Sequence, residues 1–294
     1  VKLNLLFFPS DINLHDIAFF SPKLYGTNQL VNLSGEVRGY ISNLKGRNIS
    51  IKYGEKSRIQ GEFNLNGLPD FSETFIYVDL QNFYTSVKEI ESFTLPGGRK
   101  LNLSNRFKEL KTIRYKGKFT GFVDDFVAYG DINTDLGRIS SDLLFKPDTS
   151  NYFTFNGKLE AGEFNLGRLL NNEKDIGKIT LNVNVDGSSC SGQTVNAKLH
   201  GFINSLEIKQ YEYKNINLSG VLSDKTYNGA INIDDPSINM EFLGKVDFSS
   251  EIYNVDFTAN IAHADLCALN LDKSDSSHTV SFYIKANAQG NSLD

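Results

Sequence analysis

The feature that most constrains this chain is a period of two in hydrophobicity. It is clearest at Ile238–Phe248, where Ile238, Met240, Phe242, Gly244, Val246 and Phe248 alternate with Asn239, Glu241, Lys245 and Asp247. Leu243 is the one exception. Successive side chains of a strand point to opposite faces, so this pattern describes a strand with one buried and one wet face. The alternation recurs along the chain, at Val31–Ile41, Ile59–Leu65, Asn151–Leu159, Ile179–Val185, Val195–Ile203 and Val255–Ile261 among others. About 17 strands of ordinary length result, with no layer of helices. Short turns between them favour antiparallel meanders.

Two short helices are expected in an insert near residues 85–113. One covers Thr85–Phe93, with Thr85 or Ser86 as N-cap, and the other Ser104–Ile113. Single helical turns are expected at Phe164–Leu170 and Ala264–Leu271, and a turn at Asp11–Asp16 precedes a short apolar run at Ile17–Phe20. No fixed repeat period marks a propeller or solenoid.

Glycines fall on the apolar face of their strands at Gly35, Gly61, Gly117, Gly121, Gly157, Gly201, Gly220 and Gly244. A glycine inside a strand costs about 0.5–1 kcal/mol relative to alanine, and it marks a bend, a bulge or close approach of another group. Two architectures follow. One is a β-sandwich with scattered bulges. The other is a long sheet folded along its length into an apolar-lined trough, with glycines at the crease.

The remaining composition excludes more than it assigns. A net charge of −5 argues against a nucleic-acid surface. No stretch approaches the roughly 20 apolar residues of a spanning helix. The apolar start, Val1–Phe8, has no basic flank and no cleavage site, and the chain reads as an internal piece of a longer protein. Cys190 and Cys267 could form one disulfide, but one pair does not build a scaffold.

Chemistry is sparse. His15, His200, His263 and His278 are scattered, without a Cys or His at ligand spacing, and read as surface or structural residues. Asp131, Asn133, Asp135 and Asp142 imitate a calcium loop, but Leu136 stands where glycine is needed, which favours a hairpin turn. Asp124–Asp125 and Asp234–Asp235 are neighbours in strand-like sequence, point apart and read as turn or edge residues. The basic cluster at Lys108–Lys118 reads as a solvated face, with a lipid-headgroup or partner contact as the alternative. No catalytic residue, metal ligand or cofactor site is expected.

Several fragments resemble the TamB family, the translocation and assembly module proteins of the AsmA-like superfamily, in their Bacteroides-type form. They are Lys116-Gly-Lys-Phe-Thr-Gly-Phe122, Asp125-Phe-Val-Ala-Tyr-Gly130, Thr134-Asp-Leu-Gly137 and Asp142-Leu-Leu-Phe145. Leu33-Ser-Gly35, Gly67-Leu-Pro-Asp70, Phe164-Asn-Leu-Gly167, Leu218-Ser-Gly220 and Phe242-Leu-Gly-Lys-Val-Asp247 continue the resemblance. It implies an all-β fold, a long antiparallel meander sheet curled into a U-shaped hydrophobic trough with a few short helices. Residues 1–294 would be one elongated segment, and 17 strands would extend roughly 80 Å at a spacing of about 4.8 Å.

The resemblance also implies a periplasmic location, an inner-membrane anchor outside this segment, and phospholipid acyl chains as cargo between inner and outer membranes. Ile179, Leu181, Val183, Leu218, Met240, Phe242, Val246, Val255 and Phe257 are expected to line the trough, by hydrophobic contact alone. An alternative is a scaffold for outer-membrane β-barrel assembly and protein secretion, working with a TamA-like barrel partner. A second alternative is an extracellular β-sandwich, an adhesin or glycan-binding module, with Tyr211 and Tyr213 on an outer patch.

Overall fold

The computed structural model describes residues 2–18, 26–70, 72–94, 98, 100, 103, 110–148, 152–190, 194–250, 252–272 and 278–290. Sixteen strands lie side by side in chain order in one antiparallel sheet, in which β1 and β16 are not neighbours. The sheet is therefore an open meander. Contacts group the chain into two compact units, residues 1–142 and 143–294.

The first unit contains β1 (Lys2–Asn13), α1 (Leu14–Ala18), β2 (Leu30–Tyr40), β3 (Asn43–Tyr53), β4 (Ser57–Asn66), β5 (Phe75–Thr85), α2 (Val87–Ser92), β6 (Ile113–Phe122), β7 (Asp125–Thr134) and the start of β8 (Gly137–Pro147). The second contains the rest of β8, then β9 (Tyr152–Asn165), α3 (Leu166–Leu170), β10 (Ile176–Cys190), β11 (Thr194–Ile208), β12 (Tyr211–Ser223), β13 (Thr226–Asp235), β14 (Ile238–Asp247), β15 (Tyr253–Asp265) and β16 (Thr279–Gly290). Among the described residues, no helix is long and apolar enough to cross a membrane.

The all-β meander with a few short helices is as expected, with 16 strands among the described residues against an expectation of about 17. The sandwich alternative fails, because its core would need a second sheet facing the first. Ser86 is the N-cap of α2, its hydroxyl accepting the Glu89 N–H. The helix expected at Ser104–Ile113 falls mostly outside the described residues, as does the end of the run Ile17–Phe20. Phe164 does not start a helix. It is a buried strand residue, and Asn165 caps α3 by accepting the Arg168 N–H.

Register in the second unit separates two faces. One rung crosses six strands as Leu181, Ile203, Ile216, Ile233, Met240 and Ile261. The opposite face carries Asn217, Asn232, Glu241 and Asn260 side by side, all exposed. A third rung, on the apolar face, runs Val185, Leu199, Gly220, Gly229, Gly244 and Phe257. Three consecutive strands thus have no side chain at this level. A β-carbon at Gly244 would lie 2.4 Å from the Phe257 Cα, and Gly244 has φ of 148°. Side chains in a flat antiparallel pair keep their β-carbons about 4.5–5.5 Å apart. The backbones along this row approach too closely for side chains, the close approach that an in-strand glycine marks.

Candidate functional site

The fold leaves an apolar groove of about 670 Å³ in the second unit. Seventeen residues from the six strands β9–β14 line it; fifteen are aliphatic or Met and two are tyrosines. Six neighbouring strands cover about 24 Å. One face can enclose a groove over that distance only if the sheet is curved, which the glycine row permits.

The groove is partly filled from its own walls. Val183 and Val185 are buried, with Leu143 from β8, under Phe155, Leu159, Leu181, Leu199 and Leu218. Leu181, Leu199, Leu218, Ile231 and Met240 remain half-buried. Among the described residues all strands belong to one sheet, so no second sheet finishes their burial.

Both tyrosines are held neutral. Burial pushes the Tyr213 phenol up, with the Asp235 carboxylate adding to the effect, and burial also raises Tyr227. The Tyr227 hydroxyl donates to the Ala230 carbonyl at 2.8 Å, which folds the ring over Gly220. None of the seventeen described residues that line this groove is charged.

One end of the strands is closed. The segment after β15 places Leu269 with no exposed surface against Ile238 and Ala264, with Tyr211, Tyr213 and Met240 packed around them. Asn270 donates from Nδ2 to the Lys209 carbonyl at 2.9 Å, so the segment reaches back to the β11–β12 turn. The helical turn expected at Ala264–Leu271 is instead strand as far as Asp265, followed by hydrogen-bonded turns. Asp235 is buried beside it and accepts from the Tyr211 hydroxyl, the Lys214 N–H and the Ser237 N–H. It is a structural anchor, more buried than an edge residue.

A similar groove of about 620 Å³ lies in the first unit, with Val31, Leu33, Ile51, Ile59 and Phe83 among its lining residues. Here α2 and its C-cap form one wall through Ile90 and Phe93. Glu89 pins the helix to the β3–β4 hairpin by accepting the N–H groups of Glu55, Lys56 and Ser57 and the Ser57 hydroxyl.

Of the nine residues expected to line a trough, Ile179, Leu181, Val183, Leu218 and Met240 line the groove of the second unit. Phe242, Val246, Val255 and Phe257 share its face by register but lie farther along β14 and β15, where Phe242 and Phe257 meet at 5.2 Å. Tyr211 and Tyr213 are on this inner face, not on an outer patch. Leu199, Ile203, Ile216, Ile231 and Ile233 also line the groove, and their alternation with polar residues makes them legible in the sequence.

The other chemical candidates are engaged in structure. Asp131 accepts from Arg138 at 2.6 Å, which holds its carboxyl below the usual range, and Asp135 accepts the Lys111 N–H. Arg114, Lys116 and Lys118 alternate on the exposed face of β6, with Asp131 opposite Lys116 and Asp79 opposite Lys118. His200 is exposed, and Cys190 and Cys267 form no disulfide. No known family, curated protein or solved structure matches the chain.

Proposed function

We propose that this chain is a section of a TamB-like, AsmA-like carrier that moves phospholipid between the inner and outer membranes. The reading makes the full protein periplasmic and anchored in the inner membrane. The observation that carries it is the groove of the second unit: an apolar lining, part buried and part half-buried, with no charged residue among the seventeen that line it and, among the described residues, no second sheet. Acyl chains match that surface. Each buried methylene gains about 0.8 kcal/mol, without the directional contacts that would fix a headgroup. A chain held this way can slide, as a conduit requires. The role is carrying, not catalysis.

The test is lipid co-purification, read by mass spectrometry of the extracted protein. Leu218→Asp puts a charge in the groove, while Asn217→Asp puts one on the opposite face. Phospholipid should remain with the Asn217 variant and fall at least tenfold with the Leu218 variant, both with unchanged circular dichroism. Equal retention in the two would overturn the reading.

A second reading, strand templating for outer-membrane barrel proteins with a TamA-like partner, draws on the sheet edges. β1 and β16 carry Leu6, Phe8 and Tyr283 at 60%, 71% and 67% exposure. Edge strands of this kind can pair with an added strand. Charges inside the groove would leave such pairing intact.

A further inference from the structure

We propose that Cys267, Asp272 and His278 bind a zinc(II) ion with one coordination position left open. The proposal does not depend on what the grooves carry. One ligand atom from each residue lies within 4.8 Å of the other two, and His278 Nδ1 is 2.5 Å from Asp272 Oδ2. Zinc bonds of about 2.0–2.3 Å place tetrahedral ligand atoms roughly 3.3–3.8 Å apart. Small side-chain rotations, opening the carboxylate–imidazole pair by about 1 Å, would therefore admit the ion.

The backbone already brings the three residues together. The Leu266 N–H donates to the His278 carbonyl at 2.9 Å, and the Leu266 carbonyl accepts the Asp272 N–H at 3.0 Å. Cys267 follows directly and is itself held, its N–H donating to Asp265 Oδ1 at 3.1 Å. Between Cys267 and Asp272, Leu269 is fully buried and anchors the turn. The ligands are thus converged by parts of the fold that do not involve their own side chains.

The donor set selects the metal class. A thiolate with an imidazole disfavours magnesium and calcium, which take oxygen ligands. Three protein ligands of mixed type leave a fourth position for water. Burial is graded suitably: Cys267 and Asp272 are half-buried and His278 is exposed, so the ion has a path in. Because Asn270 of the same segment bonds to Lys209, bound zinc would also brace the turn against the end of β11. The His278–Cys267 separation of eleven residues lies outside the usual close ligand spacings, which is why the sequence did not single it out.

Cobalt(II) titration of the purified chain tests the site, because a thiolate bound to cobalt gives a charge-transfer absorption. The proposal predicts that absorption at one equivalent, its displacement by zinc, its persistence in Cys190→Ser and its loss in Cys267→Ser. Asp272→Asn and His278→Gln should weaken cobalt binding tenfold or more. Absence of the absorption in the folded wild-type chain, its survival in Cys267→Ser, or its loss in Cys190→Ser would each overturn the assignment.

Discussion

Gly229 on β13 lies opposite Gly220 on β12, and a β-carbon added to Gly229 would stand 2.4 Å from the Gly220 Cα. No side-chain rotation relieves a clash with backbone. Gly229→Ala should therefore lower stability by about 1–3 kcal/mol, as overpacking does. Gly162 on β9 is the control, since nothing lies within 4 Å of its added β-carbon. Gly162→Ala should be neutral or stabilising by up to about 1 kcal/mol. Urea unfolding midpoints of the two variants provide the comparison.

Glu89 links α2 to the β3–β4 hairpin through one carboxylate. Burial would raise its pKa, but hydrogen bonds from the Ser57 hydroxyl and the N–H groups of Lys56, Glu55 and Ser57 outweigh it and hold it below the ordinary 4.5. A carboxylate depressed on folding stabilises above its unfolded value, and that contribution is lost as pH falls through the folded value. Amide protection at Glu55–Ser57 should accordingly weaken below about pH 4.5. Glu89→Ala should remove it at neutral pH, at a cost of about 1–2 kcal/mol to this unit. Hydrogen exchange followed by mass spectrometry reads both effects.

Asp235 is 6% exposed and satisfies Tyr211, Lys214 and Ser237 together. Asp235→Ala would leave three partly buried donors without this acceptor and should cost about 1–3 kcal/mol. Burial first, and then the hydrogen bond to Asp235, raise the Tyr211 phenol above its ordinary 10.0. In Asp235→Asn the Tyr211 pKa should fall toward that value, measurable as the difference between phenolate titrations with and without Tyr211→Phe.

Much of this architecture was legible because a single physical rule, alternation, writes both faces of a strand into the sequence. Ile238–Phe248 is the clearest case. Its one exception, Leu243, lies on the outer face at 63% exposure. Bulges were not legible. The register shift between Thr180 and Leu181 leaves Asn204 between Ile203 and Ser205 on β11, and it returns Leu206 and Ile208 to the groove face. A strict two-residue period would send them outward.

Single glycines could be placed on the apolar face, but their alignment could not. The row Gly220–Gly229–Gly244 depends on two independent registers. Gly229 belongs to it although its strand alternates too briefly to mark it. The Cys267–Asp272–His278 cluster was hidden for a related reason. Its geometry comes from backbone bonds of Leu266, not from the spacing of the ligands.

The central claim, that acyl chains occupy the groove, is tested most directly by two neighbouring residues. Met240 lines the groove and Glu241 is exposed on the opposite face. A photo-reactive amino acid placed at each position in turn, with crosslinking in cells and mass analysis of the purified protein, reports what lies against each face. Phospholipid adducts at Met240 and none at Glu241 are the predicted result. Equal adducts at both positions, or none at Met240 in a folded protein, would contradict it.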